Sequence, residues 1–345
     1  MRKITIVSIL SLLALIQVSY AQDTIKPVSA SVKPFVPIGK IGTTVYSGFQ
    51  TQTVGTEITQ TGFILDRAYL GYTYNPTESL NGEVKIDVGS PSDISDNDII
   101  ELKRRFMYVR NAYGKYKINN TSILFGIINS NQYKLQETTW GYRYVYKSFM
   151  DQHKFANSAD IGISIEHTIA DYLSVDASIC NGEGYTKLQS DMDFIYQLGA
   201  VFKPNKIVTF RLTGDYSNLQ YKPVTIGSFL SIQPIEKLTL SAEYNIKLNY
   251  EGKEKRNLTG SSIYANYNIN EQIKVFARRD DLQSNTLDGQ QNPWNYSKNG
   301  VAYIGGIEYS PNKYLRIAAN YQNWIFEDTS KETKQAFGIL TELKF

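Results

Sequence analysis

The chain has 345 residues, with 36 Lys and Arg against 33 Asp and Glu, for a formal net charge of +3. That balance is too slight for a nucleic-acid binder, and a single cysteine, Cys180, excludes an intramolecular disulfide. Tyrosine is abundant, 26 residues against 3 Trp, and its amphipathic ring suits surfaces that are apolar on one side and wet on the other.

The first segment, "MRKITIVSILSLLALIQVSYAQ", opens with Arg2 and Lys3, runs apolar from Ile4 to Val18, and carries Ser19 and Ala21 at the −3 and −1 positions of a cleavage site. It reads as a secretory signal peptide over residues 1–21, too short to be a retained span. Residues 22–39, with Pro27, Pro34 and Pro37, read as an extended lead-in. No later stretch approaches the ~20 apolar residues that a spanning helix needs.

From about Lys40 the period becomes two. "FILDRAYLGYTY" sets Ala68, Leu70, Tyr72 and Tyr74 on one face and Arg67 on the other. In "RRFMYVRNAYG", placing Met107 and Val109 outward turns Arg104 and Arg110 inward. "YLSVDASI", "KLTLSAEYNIKL" and "YLRIAANYQ" repeat the alternation. The last residues, "FGILTELKF", place Phe337, Ile339, Leu343 and Phe345 on a single face.

Short Pro- and Asn-bearing turns, such as "YNPTESL", "KINNTSI" and "SPNKYLRI", precede many of these runs. About seven such turns, with both barrel ends on their side, imply about 16 strands, the first two at 40–50 and 62–74. The expected fold is all-β: a transmembrane antiparallel barrel over 40–345, with short periplasmic turns and longer extracellular loops. The terminal strand is expected to pair with the first, because an open sheet edge is not tolerated in lipid.

With the apolar face in lipid, the other face lines a watery lumen. Parity puts Arg67, Arg110, Arg278 and Arg316 on a basic side, and Glu166 and Asp176 on an acidic one. Such a field filters ions in a narrow pore, although unselective lumen polarity is an equal reading. Residues 129–158 form the longest loop, third on its side, rich in aromatics and charges, including Arg143 and Lys147. A loop of this length is usually functional or disordered; the aromatics favour one folded into the barrel.

"ETTWGYRYVYKSFMDQHKFANSADIGIS" followed by "ICNGEGYTKLQSD", together with "FILDRAYLGY" and the terminal "KF", resembles the Gram-negative outer-membrane porins related to the phosphate-selective porins O and P. The resemblance implies a 16-stranded, trimeric channel for small hydrophilic solutes or ions, with the third loop at its constriction. It also implies a carboxy-terminal strand, Phe337 to Phe345, that the barrel-assembly machinery reads. It does not carry the substrate: the clustered lysines of that group are not matched here one by one, and Arg143 and Lys147, which could substitute for them, alternate with Glu137 and Asp151.

No cofactor or metal is expected: there is no Cys pair and no His pair at ligand spacing. Catalysis is not expected either, with only His153 and His167 available. The competing reading is a structural or adhesive barrel plugged by its loops.

Overall fold

The computed structural model describes residues 35–89 and 105–345. The signal peptide, residues 22–34 of the lead-in and Arg104 lie outside the described residues. Sixteen strands follow one another: β1 (Ile38–Val54), β2 (Glu57–Asn75), β3 (Leu80–Gly89), β4 (Phe106–Ile118), β5 (Thr121–Asn129), β6 (Ala159–Ala170), β7 (Leu173–Cys180) and β8 (Ile195–Phe202). The second half comprises β9 (Val208–Ser217), β10 (Val224–Ile235), β11 (Leu238–Leu248), β12 (Leu258–Asn268), β13 (Ile273–Ser284), β14 (Gly300–Asn312), β15 (Leu315–Phe326) and β16 (Lys334–Lys344). Each pairs antiparallel with its sequence neighbours, and β1 closes the ring against β16.

The closing ladder runs from Thr44 opposite Lys344 to Val54 opposite Lys334. Beyond it, Thr43 N–H donates to the Phe345 carbonyl at 2.6 Å and Phe345 N–H donates to the Thr43 carbonyl at 3.0 Å. The barrel therefore has no unpaired edge, the condition expected of a strand assembly that meets lipid. Phe337, Ile339, Leu343 and Phe345 all lie exposed on the outer face of this seam.

The first hairpin corrects the expected boundaries. A loop over residues 51–61 was expected, yet β1 and β2 extend through it and meet in a two-residue connection at Gly55 and Thr56. The Thr-rich run sustains the ladder because β-branched residues favour the pleated backbone. Thr51 and Thr61 share a 2.8 Å hydroxyl contact across it. Gly55 takes φ +59°, which the tight turn needs and glycine supplies without steric cost.

The outer face is a belt of exposed apolar side chains, among them Phe63, Leu70, Met107, Phe125, Leu198 and Ile263. Their strand neighbours turn inward, and many of these are polar and fully buried: Asn111, Asn245, Ser262 and Glu308. The inner face is not uniformly polar, however. Phe229, Tyr264, Phe276 and Ile304 also point inward and are buried. They form an apolar shelf on β10 and β12–β14 that strict alternation does not anticipate.

Candidate pore constriction

The long connection between β5 and β6 carries two short helices, α1 (Lys134–Trp140) and α2 (Phe149–Gln152). It packs on the shelf. Trp140, 1% exposed, meets Tyr264 and Phe276 edge-on at 5.3 and 5.8 Å. Phe149, Met150 and Phe155 bury completely with Leu258 and Leu282. Burial of each such side chain contributes about 1.5–3 kcal/mol.

Wall side chains also satisfy the loop's backbone carbonyls. Tyr264 Oη donates to Gln136 O at 3.2 Å, Arg278 Nη1 to Lys147 O at 2.9 Å, and Gln322 Nε2 to Val145 O at 3.0 Å. The loop thus joins the inward faces of β11–β15 by hydrogen bonds and apolar packing together.

Arg316 is its main clamp. The guanidinium contacts Glu308, donates to Glu342 at 3.1 Å and to Gly141 O at 2.8 Å, and lies 5.2 and 4.9 Å from the Tyr142 and Tyr144 rings. Tyr144 Oη donates to Glu308 at 2.8 Å. Arg278 is bound by Asp280 through two bonds of 2.7 and 2.6 Å, with Trp140 and Tyr146 over its plane. Both arginines are thereby neutralised and committed to holding the loop.

A cavity of about 910 Å³ lies inside the barrel beside the loop. Nine Lys and Arg side chains line it against six Asp and Glu, so its balance is positive. Arg67, Arg110, Arg143 and Lys147 are all on its wall. Arg67 is paired with Asp87 at 3.2 Å, and Tyr185 Oη donates to the same carboxylate at 2.7 Å.

Among the described residues, two cations of this wall, Arg110 and Lys147, make no ion pair, and a third, Arg143, is shared among three carboxylates at long range. Arg110 donates, among the described residues, to the amide oxygens of Asn129, at 2.5 Å, and Asn111, at 2.9 Å. Arg143 reaches Asp66, Asp151 and Glu137 at 3.5, 3.7 and 3.9 Å, all long for a charge-assisted bond. The Lys147 ammonium makes no ion pair among the described residues. Burial lowers the Lys147 pKa, partly opposed by Asp151. Burial also works against the charge of Arg143, but Tyr69, Asp151, Asp66 and Glu137 outweigh it and raise its pKa.

The other expected lumen residues occupy local ion pairs. Glu166 meets Lys115 at 3.2 Å. Asp176 receives two bonds from Arg211, at 2.8 and 3.1 Å. Cation and carboxylate therefore alternate around this part of the wall. Of the two histidines, His153 is packed against Phe149 and Trp324 at 4.5 and 5.2 Å, and His167 Nδ1 contacts Thr121 Oγ1 at 2.9 Å.

Sequence reading overlooked several of the cavity's tyrosines, among them Tyr46, Tyr69, Tyr108 and Tyr185. Parity contained the signal for two of them: Tyr69 is two residues beyond Arg67, and Tyr108 two before Arg110. Tyr185 is on the β7–β8 loop and had no periodicity to reveal it.

No protein-family profile matches the chain, and no curated protein matches it in sequence. Solved structures do. OmpT of Vibrio cholerae with loop L8 deleted aligns at TM-score 0.66 and 13% identity, over 90% of this chain and 99% of that one. Salmonella typhi OmpF in complex with daunomycin gives 0.64 and 13%, over 89% and 97%. The outer-membrane channel DcaP of Acinetobacter baumannii gives 0.62 and 12%, over 90% and 97%. At such identities the likeness is one of fold, and it extends over nearly the whole of each chain: this protein has the closed 16-stranded antiparallel barrel of outer-membrane porins.

Proposed function

We propose that the protein is a passive diffusion channel of the bacterial outer membrane, admitting small hydrophilic solutes or ions with a preference for anions. The single observation that carries the reading is the excess of cations on one cavity inside an apolar-walled barrel, nine Lys and Arg against six Asp and Glu, with Arg110 and Lys147 in no ion pair among the described residues. Low-dielectric walls focus their field on whatever passes. The structure-bearing pairs of Arg278 and Arg316 add little, because their charge is cancelled locally.

The apolar outer belt supports placement in a lipid bilayer, with the tight turns on the periplasmic side. The alternating apolar seam ending at Phe345 supports recognition by the barrel-assembly machinery. OmpT of Vibrio cholerae is described in a trimer form, and we extend a homotrimer to this chain. The finer resemblance to phosphate-selective porins has weaker support, since Glu137 and Asp151 share the loop with Arg143.

Planar-bilayer recording tests the reading. Stable open steps and a reversal potential of anionic sign across a KCl gradient are expected. A silent bilayer from folded protein would favour a barrel plugged by its third loop, and a cationic sign would remove the anion preference.

A further inference from the structure

We propose that this constriction selects solutes carrying a ring beside a carboxylate, either aromatic acids or sugar acids, and that Tyr69 is the residue that reads the ring. The proposal rests on the channel reading above and deepens it.

Two groups of tyrosines occupy the lumen, and they differ in environment. Tyr142 and Tyr144 are buried at 3% and 4% exposure and serve the Arg316 clamp. Tyr69, Tyr108 and Tyr185 stay half-exposed on the cavity wall. Tyr69 meets Tyr46 edge-on at 5.8 Å and shares the cavity wall with Arg67, Arg110 and Arg143. Tyr108 and Tyr185 meet edge-on at 6.3 Å. The Arg110 guanidinium sits 5.9 Å from the Tyr185 ring.

Aromatic faces and the Arg110 guanidinium, which is in no ion pair among the described residues, therefore share a single wall. A filter for small inorganic anions has no use for the faces, which hydrate poorly and add nothing to a chloride ion. A ring-bearing carboxylate uses both. Its carboxylate accepts from Arg110, and its ring packs on the tyrosine face, an aromatic ring as aromatic pairs do and a sugar ring through its apolar C–H face. Tyr69 is the pivotal ring because it lines the same cavity as Arg67, Arg110 and Arg143 and, two residues beyond Arg67 on β2, projects from the same inward face.

The test is block of chloride current through single wild-type channels by benzoate, glucuronate and acetate, reading the concentration that halves conductance. The expected result is half-block by benzoate or glucuronate at a concentration at least fivefold below that of acetate; whichever acts shows whether the ring is aromatic or sugar. The ratio should fall below twofold in Tyr69→Ala and persist in Tyr69→Phe, which keeps the ring. Equal block by all three acids, or a ratio untouched by Tyr69→Ala, overturns the proposal. Should Tyr69→Ala not assemble, Tyr69→Leu, which keeps apolar bulk without an aromatic face, is read by the same ratio, with the same two outcomes. A channel silent before any blocker is added would instead overturn the channel reading itself.

Discussion

Replacement of Trp140 by alanine should free the third loop while leaving the barrel intact. Trp140 is 1% exposed, packs edge-on against Tyr142, Tyr264 and Phe276 at 5.2–5.8 Å, and donates Nε1–H to Tyr146 O at 2.9 Å. Truncating a buried Trp costs about 3–5 kcal/mol. Applied to docking alone, that lowers the ratio of docked to undocked loop by roughly two to nearly four orders of magnitude. The strand ladder does not depend on this ring, so the loss should appear as local opening. Limited proteolysis should cut between residues 130 and 158, and single-channel records should become noisier. A loop that stays protease-resistant with quiet conductance would refute the assignment of Trp140 as the anchor. So would a variant that fails to form a barrel, since the ring would then be needed for folding.

Other consequences follow from the same contacts. Arg110→Gln or Arg143→Gln should reduce the anion-to-cation permeability ratio by roughly two- to fivefold, the effect of a unit charge at a few ångströms in high dielectric; an unchanged reversal potential would deny them that role. Glu308→Gln should destabilise the folded protein by about 3–5 kcal/mol, because Arg316, Lys274, Tyr144 and Ser310 all converge on a carboxylate that is fully buried; thermal unfolding in detergent reports it. Loop docking should weaken in acid. Burial lowers the His153 pKa to about 4, with Asp280 opposing and Arg278 reinforcing, against about 6.5 in an undocked loop. The undocked loop therefore binds the proton more tightly. The contribution of His153 is whole above pH 6.5 and is lost as pH falls from there towards 4. Proteolysis of the loop across that range should show the loss, and His153→Gln should abolish its pH dependence.

Much of the fold was legible in the residues because a barrel wall imposes period two on every strand. "KLTLSAEYNIKL" and "YLRIAANYQ" could be oriented without knowing their partners, and Arg67 and Arg278 could be turned inward by counting from apolar neighbours. The first hairpin was misjudged because Thr and Gln carry no apolar alternation, so a ladder rising beyond the apolar belt looked like a loop. The site was less legible. Counting assigns a side but not a partner, and partnership decides which charges remain available. Arg278 and Arg316 looked like pore charges, yet Asp280 two residues on and Glu308 across the ladder neutralise them.

By itself, the sequence determined the strands, their facing and the apolar seam at Phe345, since these are local consequences of alternation and turn chemistry. The tertiary structure alone decided that Phe229, Tyr264 and Phe276 face inward as a shelf. It also set residues 130–158 against that shelf and left Arg110 and Lys147 in no ion pair among the described residues. Those outcomes depend on contacts between segments more than a hundred residues apart, as between Tyr264 and Gln136, and no local period encodes such distances.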